Sequence, residues 1–244
     1  MTKNTIIFRL LLAVSVIAGF AACKKKSSST PAKPQCKIVA LTDNYSGNTT
    51  AFTITYGNDG KVSTLVAKGS SNFRKVFTYS GSMIFINVSD TTGTVTETDT
   101  VTLNSSNLVL SVHQHYSASS YYYTTMTYDA TNQLATTTAT SGGTPTVTTY
   151  SWTNGDMTQS TDGSTTSTYT YYTDKNAEDG DLFQVEQLVQ YGAFYINNKH
   201  LIKGTGGSTV LNCNYVFDTD GKITSLTATN GANVETISYQ YQCQ

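Results

Sequence analysis

Few side chains in this 244-residue sequence are grouped as catalysis or metal binding would require. Glu97 and Asp99 stand two apart in a Thr-rich stretch, so a strand would carry both carboxylates on one face. A polysaccharide hydrolase needs such a pair across a cleft at a defined separation. Asp174, Asn176, Glu178, Asp179 and Asp181 put five oxygen ligands within eight residues, a density that suits calcium. Their spacing departs from an EF-hand loop, where Gly would fall at Asp179, and a polar loop leading into a short helix is the plainer explanation. The metal set carried forward is Asp174, Asn176, Glu178 and Asp181, and no other cofactor is implied. His113 and His115 would share a strand face opposite Leu108, Leu110 and Val112, with no third ligand near them in sequence; a solvated strand face accounts for them. The three histidines are accompanied by no Gly-x-Ser-x-Gly elbow, and the balance leans against an enzyme.

Aromatic residues offer a different chemistry. Tyr121, Tyr123, Tyr150, Trp152, Tyr169 and Tyr171 could, if exposed on neighbouring hairpins, form a flat platform for sugar rings or peptides. Alternation sets Tyr122 against Tyr121 and Tyr123, so some rings must turn inward and serve packing instead.

The N-terminus carries an address. Lys3 and Arg9 precede an apolar run from Leu10 to Ala22, too short to span a bilayer comfortably and laid out like a signal peptide over residues 1–22. The run ends in Gly19-Phe20-Ala21-Ala22-Cys23, which resembles the lipobox of bacterial lipoproteins. That resemblance implies cleavage before Cys23 and its diacylation, with Lys24 permitting transfer to the outer membrane. Residues 23–35 then form the lipidated Cys and a flexible tether, and at about 3.3 Å per residue its 12 Ser-, Pro- and Lys-rich positions reach up to ~40 Å. Residues 36–244 remain as a single domain.

The six basic residues among the first 35 leave that domain nine Lys or Arg against 16 Asp or Glu, a balance of −7. No Lys or Arg occurs between Val76 and Asp174, so the phosphate-neutralising patches of a nucleic-acid partner are missing. Of the four cysteines, Cys23 is assigned to lipid, leaving Cys36, Cys213 and Cys243 in an oxidising compartment. We expect Cys36 to pair with Cys243, fastening the first strand to the last and closing a long loop.

Period-two alternation of β-branched and aromatic residues recurs along the domain, as in Phe52, Ile54, Tyr56 and in Leu211, Cys213, Tyr215, Phe217. It recurs again in Val95, Val101, Leu103, set opposite an unbroken row of Thr94, Thr96, Thr98, Thr100 and Thr102. Turn sequences separate the runs. Thr55-Tyr56-Gly57-Asn58-Asp59-Gly60-Lys61-Val62 matches Val216-Phe217-Asp218-Thr219-Asp220-Gly221-Lys222-Ile223, and Thr127 to Leu134 is a looser copy. The aromatic before each turn returns at Tyr56, Tyr79, Leu103 (degenerate), Tyr128, Trp152, Tyr172, Tyr195, Phe217 and Tyr241, every 20 to 25 residues. A hairpin reused at that period predicts an all-β antiparallel meander of about 14–17 strands, strongly curved or rolled into an open barrel. One segment differs: Leu182, Val185, Leu188 and Val189 have helical spacing, predicting a short helix or irregular crossing near 181–191.

The turns resemble tyrosine-aspartate (YD) repeats. The chain more closely resembles Bacteroidota-type secreted lipoproteins with a domain of unknown function described as porin-like in fold. The residues that carry this likeness are the lipobox, Cys36 opening the first strand, Thr173-Asp174-Lys175-Asn176, Asn198-Lys199-His200-Leu201-Ile202, Tyr215 to Gly221 and the terminal Tyr241-Gln242-Cys243. The resemblance implies a fold and an address, and no assigned activity. Membrane-spanning barrels need an outward apolar band. The many Thr and Ser faces therefore favour a soluble, tethered sheet. The expected protein is an outer-membrane, lipid-anchored envelope component on the periplasmic or cell-surface side, binding a glycan, peptide or envelope partner without catalysis. A secreted polysaccharide hydrolase and a purely structural envelope protein are the alternatives.

Overall fold

The computed structural model describes residues 36–117, 120–207 and 209–243. The signal peptide, Cys23 and the tether therefore lie outside the described residues. Sixteen antiparallel strands form one closed barrel in simple chain order. They are β1 (Cys36–Tyr45), β2 (Asn48–Tyr56), β3 (Val62–Gly69), β4 (Phe73–Ser80), β5 (Met83–Ser89), β6 (Val95–Leu103), β7 (Val109–Ser117) and β8 (Ser120–Tyr128), followed by β9 (Leu134–Thr140), β10 (Thr146–Thr153), β11 (Asp156–Thr161), β12 (Thr166–Asn176), β13 (His200–Gly207), β14 (Leu211–Phe217), β15 (Ile223–Asn230) and β16 (Asn233–Cys243). Among the described residues a single helix, α1 (Leu182–Tyr191), interrupts the meander between β12 and β13. The expected strand number and helix are both present, but the barrel is closed rather than open: β1 pairs along its length with β16, from Cys36 opposite Cys243 to Tyr45 opposite Glu235. Cys36 and Cys243 are joined there by a disulfide between residues 207 apart in sequence.

Because every odd strand starts at the disulfide end and every even strand finishes there, one type of turn can be reused around that rim. Gly57–Lys61, Asn104–Leu108, Asp129–Gln133 and Asp218–Lys222 share a pattern in which the N–H of the first residue donates to the C=O of the fifth. The fourth residue takes a left-handed conformation: Gly60, Asn107, Asn132 and Gly221. The Oδ1 atoms of Asn104, Asp129 and Asp218 accept the N–H groups two and four residues on. Asx residues fold back on their own backbone in this way, and this is why the repeat shows in sequence. The same turn recurs at the far end, at Asp90–Thr94.

A register shift accompanies each of these rim turns at the residue just before it, between Thr55/Tyr56, Thr102/Leu103, Thr127/Tyr128 and Val216/Phe217, an aromatic in all but the second. Four of the aromatics at this period point inward and latch onto the preceding strand. Tyr56 Oη donates to Ile38 O, Tyr128 Oη to Val109 O, Trp152 Nε1 to Leu134 O and Tyr241 Oη to Ile223 O, each 18 or 19 residues back. Four positions of the two-dozen-residue period, Tyr56, Tyr128, Trp152 and Tyr241, thus form a hydrogen-bonded aromatic girdle, whereas Leu103 and Phe217 at the same period have no donor to latch with. The register shifts also correct two positions. Val95 and Leu110, expected to face the core, stand 53% and 37% exposed, because a bulge turns each away from the face that alternation assigns it.

Inside, Ile38, Ile54, Leu65, Ile84, Val101, Val112, Leu134, Met157, Ile202, Ile223 and Leu226 form the buried core. Outside, the wall is largely Thr, Ser, Asn and Gln, including Thr98, Thr100 and Thr102 on β6, and Thr236, Ser238, Gln240 and Gln242 on β16. Hydroxyls pair across strands there, as Thr127 does with Thr136 at 2.7 Å. Exposed apolar side chains such as Phe85, Val147 and Val216 are scattered and form no band. Replacing Cys36 or Cys243 with Ser should lower the unfolding free energy by about 2–5 kcal/mol in urea titrations, because the cross-link closes nearly the whole domain; an unchanged midpoint would show that pairing of β1 with β16 closes the barrel unaided.

Candidate functional site

Sixteen strands enclose more space than their own side chains fill, and residues 177–199 occupy part of it as a plug. Its neck is closed by Ala177 N–H donating to Lys199 O. Asp181, almost fully buried, caps α1: Oδ1 accepts from Phe183 N and Oδ2 from Ile202 N on β13, so one carboxylate ties the helix start to the wall. Burial pushes that carboxyl up to about 6, with the N–H groups of Ile202, Phe183 and Gln184 pulling it back. The helix ends on Gly192, whose φ of 62° and N–H bond to Leu188 O form a left-handed cap, with Phe77 and Tyr79 close against its α-carbon. Lys75 on β4 donates to Val189 O and Gln190 O, placing a cation on the last carbonyls of the helix.

The return of the plug is fixed by Gln187, 1% exposed. Its amide nitrogen donates to Phe183 O and Ile196 O, and its oxygen accepts from Tyr195 N and Ile196 N. Further on, Val109 N donates to Phe194 O, Met157 N to Asn198 Oδ1, and His200 N to Asp156 Oδ1. The segment is therefore anchored to β4, β7, β11 and β13, and it closes the disulfide end.

Above the plug the character of the lumen changes. A cavity of about 410 Å³ runs from Tyr191 and Tyr195 up the wall of β8–β10, past Tyr122, Thr124, Thr137, Thr148 and Tyr150, to Ser141 and Thr144 at the far rim. Tyr150 Oη is hydrogen-bonded to Thr137 Oγ1. Near its floor β6 presents Glu97 and Asp99. Asp99 is 2% exposed with no protein donor at either oxygen, while Gln114 Nε2 donates to Glu97 Oε1. Burial, then the Glu97 charge, pushes the Asp99 carboxyl up to about 7 against the opposing pull of Lys75. Tyr191 is pushed up to about 12 by burial and then by Asp99. On the helix, Glu186 keeps contact with lumen water, yet the wall around it, followed by the Glu235 and Asp181 charges, raises it to about 7. Asp43 and Glu235 face inward across the β1–β16 seam and both are raised, first by burial.

The sequence-derived sites map onto this geometry unevenly. The six aromatics do not make one platform: Tyr121 and Tyr123 lie on the outer wall against His115 and His113, whereas Tyr150, Trp152, Tyr169 and Tyr171 pack inward on the core. Of the inward four, Trp152 is a girdle latch, Tyr171 Oη bonds Met157 O and Tyr169 Oη pairs with Ser160, leaving Tyr150 to line the cavity. Asp174 and Asn176 end β12, and Asp181 is committed to capping. Among the described residues no group of three or more His, Cys, Asp or Glu side chains is arranged to hold a metal, so Asp174, Glu178 and Asp181 do not converge. His113 and His115 stack with ring centroids 4.1 Å apart on the outer wall. His200 Nδ1 is bonded to Asp156 Oδ2 at 2.7 Å, a pair that laces β11 to β13. Cys213 is a buried thiol. Sequence reasoning missed Gln187, Lys75, Tyr191 and Glu186, for a polar residue on a short helix carries no mark of the wall it will meet. Glu97 and Asp99 were visible as a pair. They share one strand face rather than opposing each other across a cleft, so they can share a proton or receive a cation.

Asp99 makes a pH-dependent contribution to stability. Its folded pKa lies above the unfolded 3.8, so folding favours the protonated form. That stability is complete below about pH 4 and lost as pH rises through about 7. Asp99→Asn should leave the melting temperature near pH 4 unchanged and raise it at pH 8, by an amount corresponding to about 2–4 kcal/mol. Parallel melting curves for both proteins across pH 4–8 would contradict this.

No protein-family model matches the chain, and no curated protein sequence matches it. Solved structures share its fold. A porin-like protein from Bacteroides uniformis ATCC 8492 superposes with a TM-score of 0.62 at 16% identity, over 84% of this chain and 98% of that one. A porin-like protein from Bacteroides vulgatus ATCC 8482 superposes with a TM-score of 0.58 at 12% identity, over 85% and 99%. The barrel described above is thus a porin-like fold.

Proposed function

We propose that this protein is a lipid-anchored envelope protein of the outer membrane, and that it binds a ligand, without catalysis, in the far half of its barrel. The observation that carries the reading is the tyrosine- and threonine-lined cavity, which stands on a plug rigidly tied to the wall. Pre-organised concave sites with aromatic walls and a few convergent polar groups are the usual form of small-ligand sites. The porin-like counterparts from Bacteroides support an envelope setting. The Thr- and Ser-rich outer wall lacks the apolar band of a lipid-facing barrel, which favours a barrel standing in water and held by Cys23.

Two measurements test this. Mass spectrometry of the envelope-extracted protein should find a mature N-terminus at diacylated Cys23, and Cys23→Ala should release the protein into the soluble fraction; an unmodified Cys23 would remove the anchor from the reading. On arrays of envelope oligosaccharides and short peptides, Tyr191→Ala and Tyr150→Ala should weaken any captured ligand at least tenfold, while Tyr121→Ala and Tyr123→Ala on the outer wall should not. The reverse pattern would move the site outside.

A further inference from the structure

We infer that the lumen is built to receive an organic ammonium group, such as the amine of a polyamine or of an amino sugar. This rests on the reading of the lumen as the binding site and specifies what enters it. Asp43, Glu97, Asp99, Glu186 and Glu235 all face the lumen or its floor, from β1, β6, α1 and β16. Lys75, the cation that acts on Asp99 and Glu97, already donates its Nζ hydrogens to Val189 O and Gln190 O, so it screens the pair without neutralising it. Glu186 on the plug feels the Glu235 charge from the seam and acts on Tyr195, a residue of the cavity floor.

The acceptors are also unspent. Both Asp99 oxygens, Asp43 Oδ1 and the hydroxyl of Tyr239, itself 7% exposed, are buried without a protein hydrogen-bond partner, and all three side chains face inward. Beside Asp99 stands Glu97, a second carboxylate and so no donor when both are ionised. Leaving buried acceptors unmade costs stability, and close like charges add to the cost. An ammonium brings three N–H donors and one positive charge, and so answers both deficits together. The rings of Tyr122, Tyr150, Tyr191 and Tyr195 line the cavity, and aromatic rings attract cations. A neutral sugar would satisfy the rings and leave the carboxylates unanswered, and an anionic ligand would be repelled.

The test is calorimetric titration of the purified protein at pH 7 and 150 mM salt with three probes: spermidine, a β-1,4-linked glucosamine tetramer and its fully N-acetylated, neutral counterpart. At least one amine probe should bind ten times or more tighter than the neutral tetramer, and which one binds names the source of the ammonium. Asp99→Asn with Glu186→Gln should weaken the amine at least fivefold, and Asp220→Asn on an exposed turn should leave it unchanged, separating the lumen from general attraction to an acidic protein. Glu186→Gln alone serves if the double variant fails to fold, because Glu186 is in contact with water and outside the core. Equal affinity for the neutral tetramer, or an amine affinity indifferent to the lumen variants, would overturn the ammonium assignment while leaving lumen binding intact. If no probe binds and the Tyr191→Ala and Tyr150→Ala variants also leave the array signal unchanged, both readings fall.

Discussion

Pairing of the first strand with the last is the constraint on which the remaining architecture rests. A meander this long cannot stay flat, and an unpaired edge would expose a row of backbone donors and acceptors to any passing strand. Joining β1 to β16 removes both edges together. It also fixes a circumference, and with it an interior too wide for strand side chains to fill. The helical crossing after β12 follows from that surplus volume: residues 177–199 leave the sheet, enter the space it encloses and rejoin it, with Asp181, Gln187 and Lys75 satisfying backbone groups that would otherwise be buried unpaired.

The two halves of the barrel divide stability from chemistry. Toward the disulfide, the aromatic girdle donates to wall carbonyls and the core side chains are aliphatic. Toward the far rim, carboxylates are crowded, acceptors lack donors and the wall turns to Thr and Tyr. Groups that cost stability persist where surrounding structure can bear them, and such places are commonly functional. Here the bearing structure is the girdle and the plug beneath it.

Much of the fold was legible in sequence because it rests on local rules. The Asx-and-Gly turn is readable from a handful of residues, the aromatic period marks the end of alternate strands and closes a latch at four of them, and the spacing of Leu182, Val185 and Leu188 is enough for α1. What the sequence could not show depends on distance in space. Closure is a contact between residues some two hundred apart. The bulges beside the girdle reverse strict alternation, so Val95 and Leu110 were assigned to the wrong face. The six aromatics look alike on the page, yet Tyr123 is outside, Trp152 is a latch and Tyr150 lines the cavity, differences set by the wall each one meets. Asp181, read among oxygen ligands, is instead a helix cap, since its partner Ile202 N arrives only with β13.

The cross-link between Cys36 and Cys243 has a mechanical side as well. Any pull transmitted through the segment preceding residue 36 meets a covalent bond before it meets a hydrogen bond. Without that bond, the load would fall on the end of β1 and peel its ladder from β16 one rung at a time, the weakest direction in which to strain a sheet. With it, the load passes to both strands at once and the ladder is sheared rather than unzipped. A pull applied to the chain at residue 36 would thus be carried by two strands rather than one, and the seam, with the cavity above it, would keep its shape.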